Sequence, residues 1–270
     1  MDELEKEVEE VSTNKKLVLS VSKTKTWTSC KAKYKFQYIE KLPQKEFLFL
    51  KIGKFVHKCL ETFHKHYIDG KEGDYVSVME YAIEDALKEF TLTDEENIEC
   101  RQYMNNYISL LNKEKPDYIK SILAVEKPFE IPVCEDIGVI GFIDRIQLDP
   151  DNILHVVDYK TSNSDKYLKN DWFQLLTYAY HLYLEDPTIK KVRGSYVMIK
   201  QNFKYITKEF NLDEILKVKD SYDEYGKKIK EEKLFRSNPT RLCDYCSFLE
   251  VCKDGKNFIN RTKQFGEISW

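Results

Sequence analysis

Apolar residues recur along this chain with two periods, and the change from one to the other divides it. Over residues 48–67 they fall at helical spacing, with Phe55, Val56, Cys59, Leu60 and Phe63 as one stripe. Residues 75–90 and 94–113 read the same way, with charged outer faces. Ahead of them, residues 23–41 interleave Trp27, Cys30, Tyr34, Phe36 and Tyr38 with lysines. This predicts an amphipathic helical segment with Ser22 as its N-cap. Near Ser121 the period drops to two, and 121–133 reads as a strand. Later segments alternate: a polar loop over 161–170, a helix over 171–184, strands over 192–199 and 203–210, and a charged helix over 211–232. In the 171–184 helix Trp172, Leu175, Leu176, Ala179 and Leu182 are the candidate core. Gln174 and Tyr178 stand four apart on one face. His64 and His66 read as exposed helix residues, and Cys59 and Cys100 as small core residues.

The centre of this pattern is residues 140–160. Two apolar runs flank Asp149-Pro150-Asp151-Asn152, a hairpin signature. Alternation puts Ile140, Phe142, Asp144, Ile146 and Leu148 on one face of the first strand. Leu154, Val156, Asp158 and Lys160 share a face of the second. The other face carries Arg145, Gln147 and His155. A slip of one residue exchanges the faces, so the even set is expected to be buried and the odd face mixed. That register sets Asp144 near Asp158, with Lys160 beside them. Two carboxylates and a lysine on an apolar wall are costly to bury unpartnered. A divalent cation suits the carboxylates, and the lysine can face a metal-bound water or a phosphate.

Composition changes this picture in three places. The 270 residues are 42% hydrophobic, enough for a substantial core. The net charge of -3 gives no global basic footprint, so any nucleic-acid surface is local. No apolar run reaches membrane-span length and no secretory signal opens the chain, so a cytoplasmic protein without membrane contact is expected. Its seven cysteines are then not a disulfide framework. Cys243-Asp-Tyr-Cys246 and Cys252 have the spacing of metal ligands. Three thiolates leave a site open, and spacing does not choose a fourth among Cys30, Cys59, Cys100 and Cys134. Four thiolates suit zinc as well as an iron–sulfur cluster.

Gly141-x-x-Asp144-Arg, then Val-Val-Asp158-Tyr-Lys160, resembles the PD-(D/E)XK nucleases. The similar branch includes the RecB and AddB nuclease domains and CRISPR-associated RecB-like exonucleases. Gly53-x-x-x-His57, Gln174-x-x-x-Tyr178 and the cysteine set extend the resemblance from Cys30 to Cys252. It implies an α/β fold: a restriction-endonuclease-like core with a mixed central sheet flanked by helices, an N-terminal helical portion and a Cys-rich C-terminal cap. It implies one nuclease domain over 15–252, divided at about 118 and 235 into helical portion, catalytic core and cap. Residues 1–14 are then an acidic tail, a frayed helix or disordered, and 253–270 a C-terminal tail.

The implied activity is Mg²⁺- or Mn²⁺-dependent hydrolysis of DNA, as an exonuclease acting on single-stranded ends. Asp144, Asp158, Lys160, Gln174 and Tyr178 are the implied catalytic set. His57 and the Tyr159 carbonyl join Asp144 and Asp158 on the metal. Glu126 stands where related nucleases carry a glutamate, and equally reads as a solvent-facing strand residue. Cys30, Cys243, Cys246 and Cys252 are the implied ligands of a [4Fe–4S] cluster, with Zn²⁺ as the alternative. Helicase, recombination or CRISPR proteins are the implied partners. Two other readings stay open: a catalytically silent DNA-binding subunit on the same fold, and a zinc-stabilised interaction protein.

Overall fold

The computed structural model describes residues 16–45, 47–114 and 118–264. The expected acidic tail over 1–14 lies outside the described residues. The chain falls into two compact units. The first takes the described residues up to Lys45, Pro132–Val139 and those from Ser221 onward; the second takes Phe47–Ile131 and Ile140–Asp220.

In the second unit, helices α3 (Leu48–Ile68), α4 (Tyr75–Glu89) and α5 (Asp94–Leu111) follow the predicted spans closely. Asp74 caps α4 through the Val76 and Ser77 amides, and Thr93 with Glu96 forms a capping box on α5. Strands β2 (Ile122–Cys134), β3 (Ile137–Leu148), β4 (Leu154–Lys160), β5 (Lys191–Met198) and β6 (Lys204–Asn211) follow, with α6 (Phe173–Glu185) between β4 and β5. β3–β4 and β5–β6 are antiparallel, and β4–β5 is parallel. The sheet is therefore mixed, with helices on both faces. On one face Val157, Tyr159 and Val197 pack into the α3–α5 core with Phe55, Phe63 and Met104. On the other, Tyr196 donates to the Asp171 carbonyl and stacks on Trp172, beside α6. A Cβ on Gly194 would meet the Phe210 ring at 2.5 Å and Leu175 of α6 at 3.1 Å, so a larger residue would displace the ring and press on α6.

The hairpin register is as expected: Arg145 lies opposite Val157 and Leu148 opposite Leu154. The assignment of faces holds only in part: Ile146, Val156 and Asp158 are buried as expected, but the rest of the pattern differs. Arg145, Gln147 and His155 are buried, whereas Ile140, Phe142 and Leu148 are exposed. Distant residues cover the odd face and give its polar groups partners. Arg145 donates to the hydroxyls of Tyr107, Tyr159 and Tyr205 at 3.2, 3.0 and 2.9 Å. His155 sits between Asp149 and the Ser195 hydroxyl. His64, expected to be exposed, is also buried, 2.7 Å from the Tyr107 hydroxyl.

In the first unit, β1 (Leu17–Leu19) pairs in parallel with Ile137, Gly138 and Val139 of β3. Helix α1 (Val21–Ser29) is capped by Ser20 rather than Ser22, because it starts one residue after the strand. Its Oγ accepts from the Lys23 amide. Extended backbone at Cys30 (φ -161°) separates α1 from α2 (Lys31–Tyr34), which runs into a π-turn over Lys35–Ile39. The later half of α7 (Leu212–Glu231) packs here, and a Cβ on Gly226 would meet Ile137 at 2.4 Å. Residues after Cys252 form α8 (Lys253–Gln264).

Candidate active site and a cysteine cavity

Position 57 lies on α3, 144 on β3, 126 on β2 and 158–160 at the end of β4. His57, Glu126 and Asp144 each bring one ligand atom within 4.8 Å of the other two. Among the described residues this is the only such group of three His, Cys, Asp or Glu side chains. His57 Nε2 lies 3.1 Å from the Tyr159 carbonyl, and Nδ1 lies 3.5 Å from Asp144. The Tyr159 amide donates to Asp144 Oδ2 at 2.8 Å. Glu126 holds a left-handed backbone, φ 44°, in the middle of a long strand. Non-glycine residues pay about 1–3 kcal/mol for such conformations, which concentrate at functional positions.

The electrostatics show what the cluster lacks. Burial, then the charges of Asp144 and its neighbours, pushes the Glu126 carboxyl up to about 7. Burial, then Asp158, holds Asp144 well above the usual carboxylate range. Burial holds His57 below its ordinary value, so the imidazole is neutral and a lone pair is available. Carboxylates that resist ionisation beside a neutral histidine fit a divalent cation, which would supply the missing positive charge.

Asp158 belongs to a second layer. It is buried, and Gln174 Nε2 and the Tyr178 hydroxyl both donate to its Oδ1. Its Oδ2 is paired with the Lys160 ammonium, 2.5 Å away. Gln174 Oε1 accepts from Lys160 at 3.0 Å, and Gln174 Nε2 donates to the Tyr178 hydroxyl at 2.8 Å. All five residues expected to be catalytic thus lie within two linked layers. Asp158 falls outside the close trio, and Glu126 takes its place there. In the sequence Glu126 showed only its position ahead of the hairpin. A cleft of about 490 Å³ opens on the trio, lined by α3 from Phe49 to Glu61, by Glu89 and Phe90, and by Thr161.

In the first unit, Cys30, Cys243, Cys246 and Cys252 line a single cavity with Phe36, Phe248 and Leu249. No three of their sulfurs lie within 4.8 Å of one another. Backbone amides of Thr240 and Gly255 donate to Cys243 and Cys252 Sγ, both at 3.4 Å. Cys59 and Cys100 are fully buried in the other unit, as expected of core residues, and Cys134 is exposed.

A model of the PD-(D/E)XK nuclease superfamily matches residues 18–253. A solved structure from Eubacterium rectale, named as a candidate exonuclease, is 11% identical, with a TM-score of 0.50. That alignment covers 91% of this chain and 89% of the other. The structure of the protein SSO0001 is 18% identical over 83% of this chain and 95% of its own, with a TM-score of 0.33. No curated protein matches the chain. Among the described residues no helix is long and apolar enough to cross a membrane.

Proposed function

This chain belongs to the PD-(D/E)XK nuclease superfamily, and we propose that it is a divalent-metal-dependent deoxyribonuclease acting as an exonuclease. The observation that carries this is the His57–Glu126–Asp144 trio set directly against the Asp158–Lys160 pair. The trio, with Asp158 Oδ2 and the Tyr159 carbonyl beside it, would hold Mg²⁺ or Mn²⁺. The histidine favours Mn²⁺. A bound ion would polarise the scissile phosphate and make a water acidic enough to attack it. Lys160 is placed to orient that water and to offset charge growing on the phosphate oxygens. Gln174 and Tyr178 fix the rotamers of Asp158 and Lys160, so neither has to reorganise during reaction. The name of the Eubacterium rectale neighbour favours exonuclease over endonuclease action. A silent DNA-binding subunit would have no need of this complete and mutually bonded set.

The cysteine cavity supports a [4Fe–4S] cluster in the same reading. Its four cysteines line one cavity with apolar walls. The two N–H···S contacts are those a cluster-ligating thiolate accepts. The role is structural: it ties the Cys30 turn to the C-terminal segment. DNA recombination, repair and CRISPR-type processing would all employ this chemistry.

The test is digestion of end-labelled single-stranded and duplex DNA with Mn²⁺, comparing the parent with Lys160→Ala. Shortening by the parent and its loss in a folded variant are expected. A cluster-loaded parent that binds DNA but leaves every substrate intact would replace the enzyme with the silent subunit.

A further inference from the structure

The first turn of α3 breaks two rules of surface design at once. Its N-cap position is Phe47, which makes no side-chain cap. A Ser, Thr, Asp or Asn there would stabilise the helix. The next residues, Leu48, Phe49 and Leu50, are 53%, 51% and 48% exposed. Phe47 and Phe49 stack on each other with ring centroids 5.5 Å apart. An exposed apolar patch at an uncapped helix end needs something to cover it.

Helical geometry says where this patch points. Phe49, Gly53, His57 and Glu61 follow at steps of four, so they form one stripe along α3. All four line the cleft that reaches Glu126 and Asp144. Eight residues at about 1.5 Å each put Phe49 about 12 Å along the helix from His57. Gly53 between them leaves the floor open, and even a Cβ there would stand 3.2 Å from the Thr161 hydroxyl. Lys54 and Lys58 flank the stripe. The cleft therefore runs from an apolar aromatic wall, past a bare glycine, Lys54 and a Lys58 paired with Glu61 and Glu89, to a carboxylate–histidine cluster.

We propose that Phe49, backed by Phe47 and Leu50, is a base-stacking platform that selects strands with unpaired bases, and that Gly53 is the floor over which the strand reaches the metal cluster. The proposal rests on the nuclease reading and names its substrate class. A nucleic acid is the occupant whose chemistry changes in step with the cleft: phosphate at the cation site and flat π-faces at the aromatic end. In a duplex those faces are covered by neighbouring pairs. In a single strand or frayed end they are open, and stacking on an aromatic side chain accepts any base. With at least about 3.4 Å between nucleotides, 12 Å places the stacked base within about four nucleotides of the phosphate at the cluster.

The experiment uses single-stranded oligonucleotides with 2-aminopurine at each of the four positions nearest either end. The full-length protein carries Lys160→Ala with Mn²⁺, so that the strand stays intact. Quenching at one or two adjacent positions is expected. It should be lost with Phe49→Leu, which keeps the apolar bulk, and retained with Phe49→Trp. In the active parent background, Phe49→Leu should raise KM on single strands about 5- to 150-fold, the range for loss of one base–aromatic stack. It should affect kcat much less, and Tyr81→Ala, an exposed aromatic elsewhere, should change neither. Quenching that persists in Phe49→Leu, or occurs at no position while the parent still digests DNA, overturns the platform and leaves the nuclease. Quenching that follows residue 49 in a protein that digests nothing supports the platform and removes the nuclease. Absence of both removes both.

Discussion

Glu126→Gln should move stability and metal affinity in opposite directions, because the glutamate is costly to the empty fold and valuable to the loaded one. Its carboxyl is pushed up to about 7, against an ordinary 4.5. At about 1.36 kcal/mol per pKa step, ionising it at pH 8 costs the folded chain at most about 3 kcal/mol more than the unfolded one, an upper bound that solvent screening of this part-exposed side chain lowers. The sign follows from the raised value. The favourable neutral form is fully present below about pH 4.5, and its stabilisation is lost as pH rises through about 7. Glutamine never ionises and keeps nearly the same shape. In EDTA at pH 8 the variant should therefore be the more stable protein, by up to about 3 kcal/mol. For a chain of this size that is a rise of up to about 10 °C in Tm. At pH 5 most of the difference should vanish. With Mn²⁺ the order reverses, because the variant has lost a ligand and should bind at least about 100-fold more weakly. Even outer partners of a ligand cost 10- to 100-fold. Thermal scans in EDTA at both pH values, with calorimetric Mn²⁺ titration, read both signs. A variant that is less stable in EDTA at pH 8 refutes the cost of burying Glu126, and one that binds Mn²⁺ like the parent refutes its ligand role.

Three other outcomes follow from the same structure. Parent Mn²⁺ affinity should rise steeply between pH 6 and 8, as the cation displaces the proton from Glu126; a flat titration would place the ion elsewhere. Cys30→Ser, Cys243→Ser, Cys246→Ser or Cys252→Ser should remove the visible absorption of a cluster, whereas Cys59→Ser and Cys100→Ser should keep it; colourless parent protein containing zinc would reassign the cavity. Arg145→Met strips a donor from three phenols in a sealed interior; it should cost about 2–4 kcal/mol in denaturant unfolding, and an unchanged midpoint would show that the cage is not needed for stability.

Period alone determined much of this protein. Helical stripes around Phe55 and Met104, strand alternation over β3 and β4, and the Asp149–Asn152 turn are local properties, written in neighbouring residues. The Asp158–Lys160 pairing and the Gln174–Tyr178 face follow from strand and helix geometry in the same way, and they stand as expected. Burial of faces followed only in part, because a polar side chain is buried wherever distant groups satisfy it. Arg145 is sealed by tyrosines at positions 107, 159 and 205, which no window around it contains. His64 is sealed by Tyr107 in the same way. Convergence was also a tertiary decision. His57, Glu126 and Asp144 come from three elements, and only the packing of α3 against the sheet, with the left-handed turn at Glu126, aims them at one point. Sequence carried the chemical groups and their local directions; long-range packing chose which of them meet, because distances between separate elements are set by the core they share.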